Sequence, residues 1–156
     1  MTRQKHPIAI LMADDDADDR QVTREAFDHC RVANDLRFVE SGAELMDYLH
    51  HRERFKDAKH SPRPGLILLD LNMPLKDGRE ALREIKADSR FKTIRIVVMT
   101  TSKAQEDILR AYQLGAESFI TKPVTFTALV DVIKTMGRYW LEIVELPCGC
   151  EDDKHG

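Results

Sequence analysis

Apolar and polar positions along this chain follow two different rhythms. Five short apolar runs, Ile8–Ala13, Leu36–Val39, Leu66–Leu69, Ile94–Met99 and Ser118–Ile120, have the length expected of strands. Between them apolar residues recur three or four positions apart, which predicts helices over Ala17–Cys30, Ala43–His51, Gly78–Ala87, Lys103–Leu114 and Phe126–Val144. Leu66-Ile67-Leu68-Leu69 is apolar at every position instead of alternating. Such a strand is covered on both faces, as in a parallel sheet lying between two helical layers. The alternating βα order therefore predicts an α/β domain, a doubly wound (βα)5 parallel sheet with right-handed crossovers. No internal repeat or low-complexity tract breaks the pattern.

Composition narrows the class without changing it. A chain of 156 residues suits one domain with one packed core. Residues 1–146 are expected to form it, with 147–156 as a disordered tail. At 42% hydrophobic and 33% charged residues, the chain reads as globular and soluble. A formal net charge of -3 provides no global field to recruit nucleic acid or a membrane. Cys30, Cys148 and Cys150 are too few and too badly placed for a disulfide framework, so a cytoplasmic location is expected. Arg3 and Lys5 precede the run Ile8–Ala13, but that run is shorter than a secretory core and ends in Asp14-Asp15-Asp16. No stretch approaches the roughly 20 apolar residues of a membrane helix.

The candidate chemistry lies just past the ends of the strands. In an open parallel sheet the binding crevice lies at the carboxyl ends of the strands. Asp14-Asp15-Asp16 comes after the first run, Asp70 after the third, Thr100-Thr101-Ser102 after the fourth and Lys122 after the fifth. Asp16 and Ser102 are expected to cap helices, but capping alone does not explain why all these groups arrive at one edge. Neighbouring carboxylates repel one another and take up a cation. Hard oxygen donors of this kind suit Mg²⁺, whose shell is completed by water and phosphate oxygens. A carboxylate beside that ion can attack phosphorus and become an acyl phosphate, with Lys122 and Thr100 arriving from separate strands to meet the phosphoryl oxygens. Lys122-Pro123 is also the place where a cis peptide bond is cheap.

Four motifs carry a family resemblance: Ala-Asp14-Asp15-Asp16, Leu-Leu-Asp70-Leu-Asn72-Met-Pro74-Leu-Lys-Asp-Gly78, Val-Met-Thr100-Thr-Ser and Thr-Lys122-Pro123. In that order the chain resembles the receiver domains of two-component response regulators over roughly residues 8 to 135. The resemblance implies the flavodoxin-like receiver fold with strand order 2-1-3-4-5, and it implies that Asp70 is the phosphoacceptor. It further implies that Asp15, Asp70 and the Asn72 backbone carbonyl ligate Mg²⁺ while Asp14 acts through water. Thr100 would move toward the phosphoryl group and Lys122 would pair with it. Phe119 stands where the family often carries a tyrosine switch, so a ring switch here would lack the hydroxyl. Asn72 and Ser102 occupy positions that tune dephosphorylation in receivers. A receiver is an acceptor that assists its own phosphorylation, not a turnover enzyme.

Other classes fit less well. Aspartyl phosphatases resemble one another in a second Asp two residues after the nucleophile, where this chain has Asn72, which cannot transfer protons. No Walker-type loop exists, and the seven glycines are scattered. No DNA-binding segment comes after the motifs, so output is expected from surface contacts.

On the last helix, Phe126, Leu129, Ile133, Met136, Trp140 and Val144 follow the spacing of a buried face. A second set, Val132, Tyr139, Ile143 and Leu146, is expected to form a homodimer or kinase-docking face. The tail Trp140–Pro147, Thr100-Thr101-Ser102 and the long His50–Gly65 insertion resemble small response regulators that partner phytochromes. The expected partner is therefore a histidine kinase of phytochrome type, with a phosphorelay intermediate as the alternative role. His50–Gly65 holds three histidines and several Lys and Arg but no interleaved stacking aromatics beyond Phe55. It is expected to be a solvated loop, not a nucleic-acid patch. No pair of histidines shows zinc-ligand spacing with the cysteines; Cys148-Gly-Cys150 near His155 could bind a soft metal or oxidise, but a plain disordered tail is the favoured expectation.

Overall fold

The computed structural model describes residues 9–30, 35–57, 59–73, 78–100, 110, 112–116, 118–121 and 125–139, with the backbone alone at 118, 121 and 135–139. In chain order these form β1 (Ala9–Ala13), α1 (Ala17–His29), β2 (Leu36–Val39), α2 (Gly42–Leu49), a 3₁₀ turn (Glu53–Phe55), β3 (Pro64–Asp70), α3 (Gly78–Ala87), β4 (Arg95–Thr100), β5 (Ser118–Thr121) and α4 (Phe126–Tyr139). Arg110, Tyr112 and Gln113 are helical too, inside the span predicted for Lys103–Leu114. The strands form one parallel sheet in the order β2-β1-β3-β4-β5. This is the doubly wound order expected from the sequence.

The unbroken apolar runs are explained by burial on both faces. Successive strand residues point to opposite sides. Leu11, Ala13, Ile67, Leu69, Ile96 and Val98 join the core beneath α2 and α3. Their neighbours Ile10, Met12, Leu66, Leu68, Val97 and Met99 join a second core with Ala26 and Phe27 of α1 and Leu129 and Ile133 of α4.

Helix starts obey local chemistry. Asp16 caps α1, its side chain accepting from the amides of Asp18 and Asp19, and both acids lie in the first turn, where the helix dipole favours them. Ser41 caps α2 by accepting from Glu44 N at 3.0 Å, while Glu44 Oε1 reaches back to Glu40 N at 2.8 Å. Thr125 caps α4 through Ala128 N.

Two expectations are corrected. Phe126, placed by periodicity on the buried face of the last helix, is 40% exposed and sits edge-on to His29 at the end of α1. It opens α4 beyond the cover of the sheet, and helical spacing carries no information about where a helix overhangs its support. The stretch His50–Gly65 is not a plain solvated loop. It contains the 3₁₀ turn, it buries Phe55 and Ser61, and β3 already begins at Pro64. Tyr48 packs on Phe55 with ring centroids 5.1 Å apart and donates its hydroxyl to Pro62 O at 2.8 Å. Arg37 Nη1 donates to His60 O at 2.7 Å, and Arg54 reaches Glu44. These contacts, between residues far apart in sequence, fold the excursion back onto α2 and β2. No described helix is long and apolar enough to cross a membrane.

Candidate functional site

Parallel register delivers the ends of the strands to one edge. Ala13 aligns with Val39 and Leu69, Asp70 with Met99, and Thr100 with Thr121. Asp14 leaves β1, Asp70 ends β3 and Thr100 ends β4 at this edge. One carboxylate oxygen each from Asp14, Asp15 and Asp70 lies within 4.8 Å of the other two. Asp14 and Asp70 are 0% and 1% exposed, whereas Asp15 is open to solvent. Two acids thus form the floor of the cluster and the third its rim. Three carboxylates this close repel strongly in a poorly hydrated setting. An all-oxygen donor set with one open side suits a small hard divalent cation that retains water.

The backbone around the cluster is held closely. Asp14 N donates to Val39 O at 3.0 Å, and Asp14 Oδ1 accepts from Asp16 N at 2.8 Å. Asn72 N donates to Asp70 Oδ1 at 2.9 Å, which ties one acceptor oxygen to the chain two residues on. Leu71 N donates to Met99 O, and Gly78 N to Leu71 O. The Asn72 side chain is exposed.

Sequence reading missed two residues here. Arg20 Nη1 donates to the Asp14 carbonyl at 2.8 Å, and its Nη2 lies 3.5 Å from Glu40. Six residues separate Arg20 from Asp14, and nothing local marks the contact. Gly78 packs so closely that an added Cβ would stand 2.3 Å from Asp70 O. The Asp77-Gly78 step at a helix start was visible in the sequence, but the missing volume was not.

Thr100 is buried at the end of β4. Phe119 is half-buried against the core beneath α2 and α3, its ring edge-on to the exposed Tyr112 with centroids 6.2 Å apart. Val132 is half-buried against the core shared by α1 and α4. Lys122, Pro123, Ser102, Ile143, Leu146 and the tail holding Cys148, Cys150 and His155 lie outside the described residues, as does the side chain of Tyr139.

A 2-1-3-4-5 parallel sheet with three acids gathered at its carboxyl edge is the architecture of a receiver domain. The profile of the response regulator receiver domain matches residues 10–134, and the chain belongs to that family. Response regulator Rcp1 of Synechocystis sp. is 36% identical over 141 residues, covering 90% of this chain and 94% of its own length. The crystal structure of the Mn²⁺-bound form of Rcp1 superposes with a TM-score of 0.75 at 35% identity, covering 91% of this chain and 100% of that one. The phosphorylated cyanobacterial phytochrome response regulator RcpA gives a TM-score of 0.75 at 36% identity over 86% of this chain and 94% of its own.

Proposed function

We propose that this receiver is a phosphorylation-driven signalling switch in which Asp70 accepts a phosphoryl group from a histidine kinase. The convergence of the Asp14, Asp15 and Asp70 carboxylates within 4.8 Å carries the reading. Asp14, Asp15, Asp70 and the Asn72 carbonyl would hold Mg²⁺, which when bound offsets the charge of the carboxylates and of the phosphoryl oxygens. An Asp70 carboxylate oxygen attacks the phosphorus of a phosphohistidine. The P–N bond breaks, the imidazole leaves with a proton taken from solvent, and an acyl phosphate replaces the phosphoramidate. Thr100 contributes a hydroxyl and Lys122 an ammonium to the phosphoryl oxygens, and Thr100 with Phe119 forms the switch that reports the change. Asn72 and Ser102 set the rate of hydrolysis. The amide at Asn72 offers no proton transfer, which favours an acceptor over a turnover phosphatase.

The partner we infer is a kinase of phytochrome type acting in the cytoplasm, supported by the 36% identity to a phytochrome response regulator. The last helix would pair two copies through Val132, Tyr139, Ile143 and Leu146. Incubation with Mg²⁺ and a small phosphodonor should give an acid-stable, base-labile label. Label on the Asp70→Asn variant would overturn the assignment. Ile143→Asp is expected to lower dimer affinity in sedimentation while uptake of label persists.

A further inference from the structure

The opposite edge of the sheet carries a second assembled feature. Tyr48, His50, His51, Arg63, Arg90 and Phe91 line a hollow of about 280 Å³ between the α2–β3 excursion and the turn that leads into β4. It lies at the N-terminal end of β3, whereas Asp70 ends that strand. Seven strand residues separate the two by roughly 20 Å.

The lining combines cationic and neutral polar groups, and the Asp88 carboxylate stands behind Arg90. The lining itself holds two guanidiniums, two imidazoles and a phenol, and no carboxylate. Both guanidiniums rest on Phe91, with Arg63 Cζ 5.3 Å and Arg90 Cζ 4.9 Å from the ring centroid. Arg63 Nη2 donates to the Arg90 carbonyl, and Arg90 Nε and Nη2 donate to the Asp88 carboxylate at 3.1 and 2.8 Å. Both guanidiniums are therefore held in place, and among the described residues Nε and Nη1 of Arg63 and Nη1 of Arg90 remain as donors. A guanidinium only donates, so the Nδ1 of His50, 3.3 Å from Arg90 Nη2, accepts and the ring proton sits on Nε2. Partial burial and the nearby Arg52 and Arg90 lower His50 from the ordinary imidazole value, against a smaller opposing pull from Asp88 and Glu84.

The wall of this hollow is strained. His51, which lines it, has φ of 53°, a left-handed conformation that residues other than Gly rarely adopt, and Glu53 outside the lining shares that φ. His51 is held there by its Nε2 donating to Ser61 O at 2.8 Å. Strain of this kind persists where its surroundings over-determine it, and it clusters at ligand clamps.

We propose that this hollow is a binding site for a phosphate-class oxyanion, gripped by Arg63 and Arg90 with the Nε2–H of His50 as a further donor. Two guanidiniums that each offer N–H donors to one hollow suit the several oxygens of a tetrahedral phosphate, and the apolar flank of Phe91 and Leu49 leaves room for a small body attached to the phosphate. The test is a titration of the full chain, with EDTA present so that the acidic edge stays free of metal. Inorganic phosphate, adenosine monophosphate and acetate are added in turn, and the arginine Nε–H and His50 ring signals are followed by NMR. Saturable shifts at Arg63, Arg90 and His50 are expected with phosphate. Tighter binding of the nucleotide would assign the ligand as a phosphomonoester, and equal binding as free phosphate. Arg63→Gln and Arg90→Gln should each weaken binding about tenfold, with the amide signals of β1, β3 and β4 unmoved to show an intact fold. Three results would each overturn the proposal: no saturation below about 10 mM, acetate binding as tightly as phosphate, or unchanged affinity in the double variant.

Discussion

A Cβ added at Gly78 would stand 2.3 Å from the Asp70 carbonyl oxygen and 2.6 Å from Leu71 Cα, both backbone atoms that cannot swing aside. Gly78→Ala must therefore push α3 away from the end of β3, and overpacking of this kind costs about 1–3 kcal/mol. The expected outcome is a lower denaturant midpoint together with weaker divalent-ion binding, because the displaced strand end carries Asp70. Asp15 presents the opposite case. It is exposed on the rim of the acidic cluster, so Asp15→Asn should leave the denaturation midpoint nearly unchanged while reducing Mg²⁺ affinity in calorimetry. Equal affinity in the two proteins would remove Asp15 from the ligand set.

Among the elements, the α2–β3 excursion is held by Tyr48, whose phenol burial pushes up to about 12, with Arg37 pulling down and Asp35 pushing up by smaller amounts. A raised phenol favours the fold while it stays protonated. The contribution is complete below the unfolded value near 10 and disappears as pH rises toward 12. Melting midpoints of the wild type should therefore fall between pH 10 and 12. Tyr48→Phe should flatten that fall and lower stability at neutral pH, since Pro62 O loses its donor. The same slope in both proteins would exclude Tyr48 as its source. On the other face of the sheet, Ile133 is 1% exposed between α4 and the strands. Ile133→Ala should cost about 2–5 kcal/mol by leaving a cavity, measured by chemical denaturation.

At the scale of the molecule, a cation held at the acidic edge would be coupled to folding, because the unfolded chain does not hold Asp14, Asp15 and Asp70 within 4.8 Å of one another. A ligand that binds only the folded state raises stability by about 2.7 kcal/mol at a hundred times its dissociation constant. Mg²⁺ should therefore raise the melting temperature over a chelated sample. The gain should vanish in Asp15→Asn/Asp70→Asn. A gain that survives in this variant would place the ion elsewhere. The two edges of the sheet are chemically opposite: carboxylates gather where the strands end, and guanidiniums and imidazoles where β3 begins.

The local pattern of the chain was enough to specify the strands, three helix starts and the edge on which Asp14, Asp70 and Thr100 meet. Burial on both faces leaves an unbroken apolar run, parallel order results from βα alternation, and chemistry at strand ends then shares one side. The predicted boundaries missed by a residue or two, as at β3, where Pro64 and Gly65 extend the strand without an apolar signature. Only the tertiary structure decided what depends on packing across long sequence separations. It brought Arg20 to the Asp14 carbonyl, removed the space for a side chain at Gly78, exposed Phe126 and set His50 and Arg63 against Phe91. Periodicity records which face of an element is covered, but it does not record which distant residue covers it or how much room is left.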